Sequence, residues 1–294
     1  MYLIVGANGF LGSYIMKTIL EETQDKILAA DQNIDGRIND NRVEWVSCNI
    51  SRDDDLDKLN QKLATYEPVD IIYLAAYHHP DLVKKNPKLA WNINITALSK
   101  FLNVIENVRC FFYSSTEMVY GAGALDTFFT EESKLSPVNM YGIHKAIAES
   151  MVTGYGYNVV RFPFLIGPCL IEGKKHFYDV IVETIQSGQS IEMFKDAYKT
   201  ALSFDTVAKI VIKLIINYTD SMPKILNVSG DEVLSKYDIG LRIAQKFGNL
   251  DELIIPISMK DDNKIFTEKR ADCTLLDNSL VKKVLDLKEL KLEF

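Results

Sequence analysis

Cysteine is scarce in this chain: Cys48, Cys110, Cys169 and Cys273 are the only four among 294 residues. None of their spacings suits a metal site or a redox pair, so neither a zinc centre nor a disulfide scaffold is expected. They read as buried free thiols of a reducing compartment. No apolar run nears the roughly 20 residues that span a bilayer. A strand-like run begins at Tyr2, which leaves no room for a signal peptide before it. Positive charge is in deficit: 33 Lys and Arg against 40 Asp and Glu give a net charge of −7. A general nucleic-acid or membrane-surface binder is therefore not expected, and an anionic ligand would need local cations. Internal repeats and low-complexity segments are missing as well. What is left is a cytoplasmic globular chain, 47% hydrophobic and 25% charged, sized for one large domain or two lobes.

The first half alternates short apolar runs with helical patterns. Strands are expected at Tyr2–Val5, Ile27–Ala30, Val43–Ser47, Asp70–Ala75, Arg109–Ser114 and Asn158–Arg161, with helices at Phe10–Glu22, Asp53–Tyr66, Pro87–Glu106 and Met140–Thr153. Such alternation predicts an α/β fold with a Rossmann-like, doubly wound parallel sheet, its strands buried on both faces. Pro163, Gly167, Pro168 and Gly173 then break the chain. Beyond them, helices are expected at Phe177–Gln186, Thr206–Asn217, Lys236–Phe247 and Leu280–Val284, with strands at Ile191–Phe194 and Ile225–Val228. We therefore divide the chain into a dinucleotide-binding domain, 1–165, and a smaller substrate lobe, 166–294, with parts of 204–228 returning to the main sheet. Trp45 and Trp91 fall in strand and helix patterns and are expected in the core.

Between the first strand and the first helix runs Gly6-Ala7-Asn8-Gly9-Phe10-Leu11-Gly12. Glycines there let the backbone turn tightly and approach a pyrophosphate, while the helix N-terminus offers free N–H groups. The spacing has one residue more between the first two glycines than the usual dinucleotide fingerprint. Asp31 ends the second strand, where a carboxylate accepts hydrogen bonds from ribose hydroxyls and repels a 2′-phosphate. This favours NAD over NADP, although Arg37 could still reach a phosphate.

Tyr141 and Lys145 stand four apart on a helix and share one face. An ammonium beside the phenol is expected to lower its pKa and make it a proton donor or acceptor near neutral pH. Thr116 follows the fifth strand, whose carboxyl end points into the same crevice. Its hydroxyl can hold the reacting oxygen against Tyr141.

Five segments make the chain resemble the extended short-chain dehydrogenases/reductases: Gly6–Gly12, Leu74-Ala75-Ala76, Asn94, Ser114–Gly121, and Ser136-Pro137 through Tyr141–Lys145. The second half is similar to the dTDP-4-dehydrorhamnose reductase branch, in Leu226-Asn227-Val228-Ser229-Gly230, Leu234-Ser235-Lys236-Tyr237 and Arg270 to Ser279. The resemblance implies that Thr116 orients the reacting oxygen, Tyr141 is the acid/base and Lys145 its activator. It implies a cofactor site of Gly6, Asn8, Gly9, Phe10, Leu11, Gly12, Asp31, Asn49, Ile50, Leu74, Ala75, Ala76, Asn94, Tyr141, Lys145 and Phe164. The substrate would be a nucleotide-diphosphate sugar, met by His78, His79, Glu117, His176, Lys199 and Arg270. His78 and His79 could equally be solvated or packed loop residues. No metal is implied.

Departures from the pattern narrow the chemistry. Met118 stands where related dehydratases carry an acid, and where relatives that epimerise beside the ketone before reducing it carry a cysteine, which argues against both of those reactions. Phe164 replaces an asparagine common in UDP-galactose epimerase-like enzymes, and Lys199 replaces a frequent arginine, losing the bidentate fork. The expectation is an NAD(P)-dependent 4-ketoreductase of a nucleotide sugar. A 4-epimerase with retained NAD and a non-catalytic dinucleotide-binding regulatory subunit are the alternatives. The resemblance also implies a homodimer packed through the 87–106 and 140–153 helices.

Overall fold

The protein, seen in a computed structural model, is described over residues 1–34, 38–261 and 266–294. Seven parallel strands form the central sheet: β1 (Tyr2–Val5), β2 (Ile27–Asp31), β3 (Val43–Ser47), β4 (Val69–Tyr73), β5 (Val108–Thr116), β7 (Asn158–Phe162) and β12 (Ile225–Asn227). Their order is β12-β7-β5-β4-β1-β2-β3. The chain reverses direction across the sheet between β1 and β4, where a crevice opens at the strands' carboxyl ends in doubly wound folds. Strands of Ile, Val, Leu and Phe fill both faces with apolar side chains, and each face needs a helical layer.

One layer holds α1 (Phe10–Glu22), α8 (Phe204–Ile216) and α10 (Ser279–Leu285), whose Ile15, Ile19, Val211 and Ile215 share a core with Ile4, Ile72 and Phe112 of the sheet. The other holds α2 (Asp53–Leu63), α5 (Leu98–Val104) and α6 (Met140–Gly154), closing over Leu3, Leu28, Ile71 and Phe111. Thus α8 and β12, late in the chain, belong to the main sheet's layers. A second core gathers α7 (Phe177–Gln186), α9 (Lys236–Lys246), β9 (Ile191–Phe194) and β14 (Ile254–Ile257) around Ile181, Ile243 and Ile254. Small strands complete the lobe: β6 (Phe128–Phe129), β10 (Tyr198–Lys199), β13 (Leu234–Ser235) and β15 (Cys273–Leu276) form one sheet, and β8 (Leu165–Ile166) pairs with β11 (Leu202–Ser203).

Two expectations change. The helix expected over 87–106 is a series, α4 (Pro87–Trp91), a π-helical stretch at Asn92–Ala97 and then α5, and a short α3 (Pro80–Lys85) precedes it. Wider turns of this kind recur at functional sites, and here the stretch carries Asn94, which is buried and reaches the loop after β4. Trp91 is not core: it is 45% exposed and meets His144 edge-on. Trp45, at the sheet edge, is half-buried and donates to the Ile38 carbonyl.

Candidate active site

The glycine turn is built by close backbone approach. Gly6 has φ of +90°, and a Cβ there would lie 2.8 Å from the Ala75 nitrogen. A Cβ on Gly12 would lie 2.5 Å from the Ala7 carbonyl oxygen. Side chains at either position would push α1 or the β4 loop away. The N-terminus of α1 has no side-chain cap and no acid in its first turn, whereas α7 and α9 both carry capping boxes. An uncapped first turn in a glycine cradle suits a pyrophosphate. Asp31 lies beside it: its carboxylate accepts from the Asn8 and Asn33 backbone N–H groups at 3.0 and 3.1 Å. Lys174, from the segment before α7, donates to the Asn8 carbonyl at 2.6 Å. Arg37 lies outside the described residues.

The other expected cofactor residues divide. Leu74, Ala75 and Ala76 leave the sheet next to Gly6, and Leu74 and Ala75 still donate to the Val5 carbonyl. Asn94 does not present its amide to the crevice; its Oδ1 accepts from Tyr77 N at 2.7 Å and its Nδ2 donates to Tyr77 O at 3.1 Å. It clamps the loop that bears the two histidines. Asn49 uses its side-chain oxygen on Ser51 N, and Ile50 is buried in the sheet's second apolar layer. The Phe164 ring faces Lys236 and its N–H donates to Glu117, so it lines the lobe side of the crevice.

Thr116 ends β5 and caps the short turn after it, its Oγ1 accepting from Met118 N at 3.3 Å. Asn139 caps α6 by accepting from Gly142 N, and its amide donates to the Lys269 carbonyl. This fixes the first turn, where Tyr141 packs among Val83, Ala90, Tyr77 and Met118. Tyr141 is 8% exposed, and its hydroxyl makes no hydrogen bond among the described residues. One turn on, Lys145 is 1% exposed, donates to the Ser114 carbonyl at 2.6 Å and lies 4.5 Å from the Tyr113 ring centroid. Its distance to the Tyr141 ring centroid is 5.9 Å. Below it, Arg161 forms a bidentate pair with Glu149, which also accepts from Ser115 Oγ.

The expected depression of the Tyr141 pKa is not found. Burial raises it well above the ordinary phenol value. Burial also lowers Lys145 to about 7, against an opposing contribution from Glu149. Desolvation of both groups outweighs their attraction, since the ammonium is turned to the Ser114 carbonyl.

The substrate-side residues also sort by environment. His78 reaches solvent inside the crevice, where burial and then the neighbouring His79 and Lys145 push its pKa down. His79 is exposed, 3.9 Å from Asp81. His176 does not offer a free stacking face: it caps α7, and its ring meets Phe10 and Phe204, each at 4.9 Å. Burial drops it to about 4. Glu117 is buried and paired with Lys199 at 3.3 Å, so it does not meet a substrate as a free carboxylate. Its pKa is raised by burial against the pull of Lys199. Arg270 donates to Asp81 at 3.0 Å and lies over the Phe266 ring. Lys236 completes this cationic corner, enclosed by Phe164, Phe177 and Phe266.

Lys236, Asn139 and the Glu149–Arg161 pair are absent from the sequence-derived site. Asn139 was accessible as a residue of N-cap type just ahead of a helix. No local signal marks Lys236, because its three rings come from separate segments.

The chain is 25% identical over 288 residues to a probable low-salt glycan biosynthesis reductase, Agl14, of Haloferax volcanii, covering 95% of this chain and 91% of that one. It is 23% identical over 264 residues to methionine adenosyltransferase 2 subunit beta of Danio rerio, covering 87% and 76% of the two. Among solved structures, UDP-glucuronic acid 4-epimerase of Bacillus cereus, in complex with UDP-glucuronic acid and NAD, superposes with a TM-score of 0.81. Its identity is 17%, with 99% and 94% of the two chains covered. The RmlD substrate binding domain family matches residues 1–291, and the chain belongs to that family.

Proposed function

We propose that this protein is an NAD(P)-dependent oxidoreductase that reduces the 4-keto group of a nucleotide-diphosphate sugar, with Tyr141 as proton donor. The observation that carries this reading is the Tyr141 hydroxyl: on a buried side chain, without a hydrogen bond among the described residues, and one helical turn from Lys145. The glycine cradle and the uncapped start of α1 fit the cofactor's pyrophosphate, and Asp31 beside them favours NAD. When bound, the reduced nicotinamide supplies hydride to the carbonyl carbon. Tyr141 gives its proton to the carbonyl oxygen as negative charge develops there, and Thr116 holds that oxygen in place. Lys145 then restores the proton, a role suited to an amine titrating at about 7. Lys236 and Arg270 give the lobe side local positive charge despite the negative whole.

A 4-epimerase would use the same three side chains, with Tyr141 first accepting the proton of the sugar hydroxyl and later returning it. Recovery of the purified protein with tightly held NAD would support that reading. The relative named as a subunit of methionine adenosyltransferase favours a non-catalytic binder. The Thr116, Tyr141 and Lys145 set weighs against it, because a binder has no use for a proton relay. The test is Tyr141→Phe, assayed with a panel of nucleotide-4-keto sugars that raise the melting temperature of the NAD-bound protein. Turnover should fall by about 10²–10⁴-fold, with cofactor affinity unchanged. Undiminished turnover would remove Tyr141 from the mechanism.

We also propose a homodimer that pairs the α4–α6 face, which exposes Leu89, Trp91, Met140 and Ile143.

A further inference from the structure

Two lysines feel the charge of Glu117, and only Lys199 is paired with it. Lys199 Nζ lies 3.3 Å from Glu117 Oε1 and donates to the Ala271 carbonyl at 3.3 Å. Glu117 is buried and takes its other oxygen's hydrogen bond from Phe164 N. The pair is internally neutralised, and a ligand that drew Lys199 away would strand a buried carboxylate.

Lys236, at the start of α9, has no hydrogen bond or ion pair among the described residues. Its Nζ faces the rings of Phe164, Phe266 and Phe177, at 5.3, 5.7 and 5.9 Å from their centroids. Ring faces attract a cation but do not neutralise it. Arg270 stands over the same Phe266 ring at 4.9 Å, so two cations flank one aromatic side chain. One arm of the Arg270 fork is taken by Asp81 and the other makes a long contact with the Glu268 carbonyl. Burial, then Lys199 and Arg270, lower the Lys236 pKa to about 8, and Glu117 acts against them. An enclosed, uncompensated charge disfavours the ligand-free state, and an anion placed there would relieve it in a medium where attraction is little screened. The cofactor's pyrophosphate has its own cradle at Gly6–Gly12, built by the uncapped start of α1.

We infer that Lys236, with Arg270 beside it, receives the diphosphate of the substrate, and that Lys199 is instead a structural cation committed to Glu117. This rests on the nucleotide-sugar reading above. It reverses the weight that sequence resemblance gave to Lys199, and it gives a role to Lys236, which the resemblance held only as part of a matching segment.

Calorimetric titration of the NAD-saturated protein tests it, with inorganic pyrophosphate, UDP, dTDP, uridine and thymidine as probes. Saturation with NAD closes the glycine cradle to these anions. Wild type should bind pyrophosphate and at least one of the diphosphates, and Lys236→Gln should weaken both at least tenfold while leaving the nucleosides untouched. Without an anion, Lys236→Gln should melt no lower than wild type, because an enclosed charge has been removed. A lower melting temperature would show that the lysine merely braces three rings, and would overturn the inference. Unchanged affinity of Lys236→Gln for a diphosphate that wild type binds overturns it too, but leaves the nucleotide-sugar reading intact. Pyrophosphate binding that depends on Lys236, with neither UDP nor dTDP bound, keeps the anion site and removes that substrate class. A wild type that binds none of the anions overturns both.

Discussion

At the scale of single residues, the proposed relay is a contest between attraction and burial. Tyr141 and Lys145 could be paired from the sequence because residues four apart on a helix share a face, and Thr116 could be added because it ends a strand. The direction of the pKa shifts was not legible, because burial is set by β5 and its neighbours. Lys145 carries a stability consequence. An ordinary lysine titrates near 10.5, and here the folded value is about 7. Below pH 7 both folded and unfolded chains carry the proton, and the folded state bears the full cost of a buried charge. Between pH 7 and 10.5 only the unfolded chain holds it, so stability rises with pH, by at most about 1.4 kcal/mol per unit. Lys236, lowered to about 8, acts with the same sign above that pH. Cys48, raised to about 11 by burial, acts oppositely above the ordinary thiol value. The cofactor-free protein should therefore gain stability from pH 7 to roughly 9 more steeply than Lys145→Met does, as read by chemical denaturation across that range. Parallel profiles would mean that Lys145 is not strained by burial.

At the scale of elements, the strands of the main sheet and most of the longer helices were read to within about three residues, the 87–106 helix excepted. Their apolar periods are local properties of the chain. The two-residue strands β6, β8, β10, β11 and β13 were missed, being too short to show a period, and so was the π-helical stretch. How α6 meets the end of β5 is likewise a tertiary fact, decided at Gly142. A Cβ there would lie 2.4 Å from the Met118 carbonyl oxygen and 2.8 Å from Pro137 Cβ. Alanine is intrinsically the better helix former by about 1 kcal/mol, so any loss in Gly142→Ala must come from this contact. The variant should shift Tyr141 relative to Thr116, lower the melting temperature and reduce kcat by about tenfold or more. Gly154→Ala, at the other end of the same helix, is the control. Nothing lies within 4 Å of a Cβ there, so stability and turnover should hold. Equal behaviour of the two variants would show that the α6–β5 contact does not position the tyrosine.

At the scale of the whole molecule, the parallel sheet followed from strand–helix alternation, and the crevice followed from the sheet. The lobe is harder to read, since its strands pair segments far apart in the chain: β15 joins β10 and β6. Assembly is a further step. On α6, Met140 and Ile143 lie three apart on an outward stripe, 37% and 36% exposed, while Tyr141 and Lys145 point inward. On α4, Leu89 and Trp91 are 48% and 45% exposed, and Trp91 touches α6 through His144. Large apolar side chains gathered on adjoining helices mark a surface suited to a partner. A second copy packed there would brace α6 from behind, on the face opposite the reacting tyrosine. Sedimentation velocity at micromolar concentration should then give a dimer. Ile143→Lys should give a folded monomer, with an unchanged far-ultraviolet dichroism spectrum and a lower melting temperature. The lysine would place two like charges in a self-complementary contact, where they cannot be solvated. A wild-type monomer at that concentration would remove the dimer. A dimeric Ile143→Lys would move the interface off this face and leave α6 braced by its own chain alone.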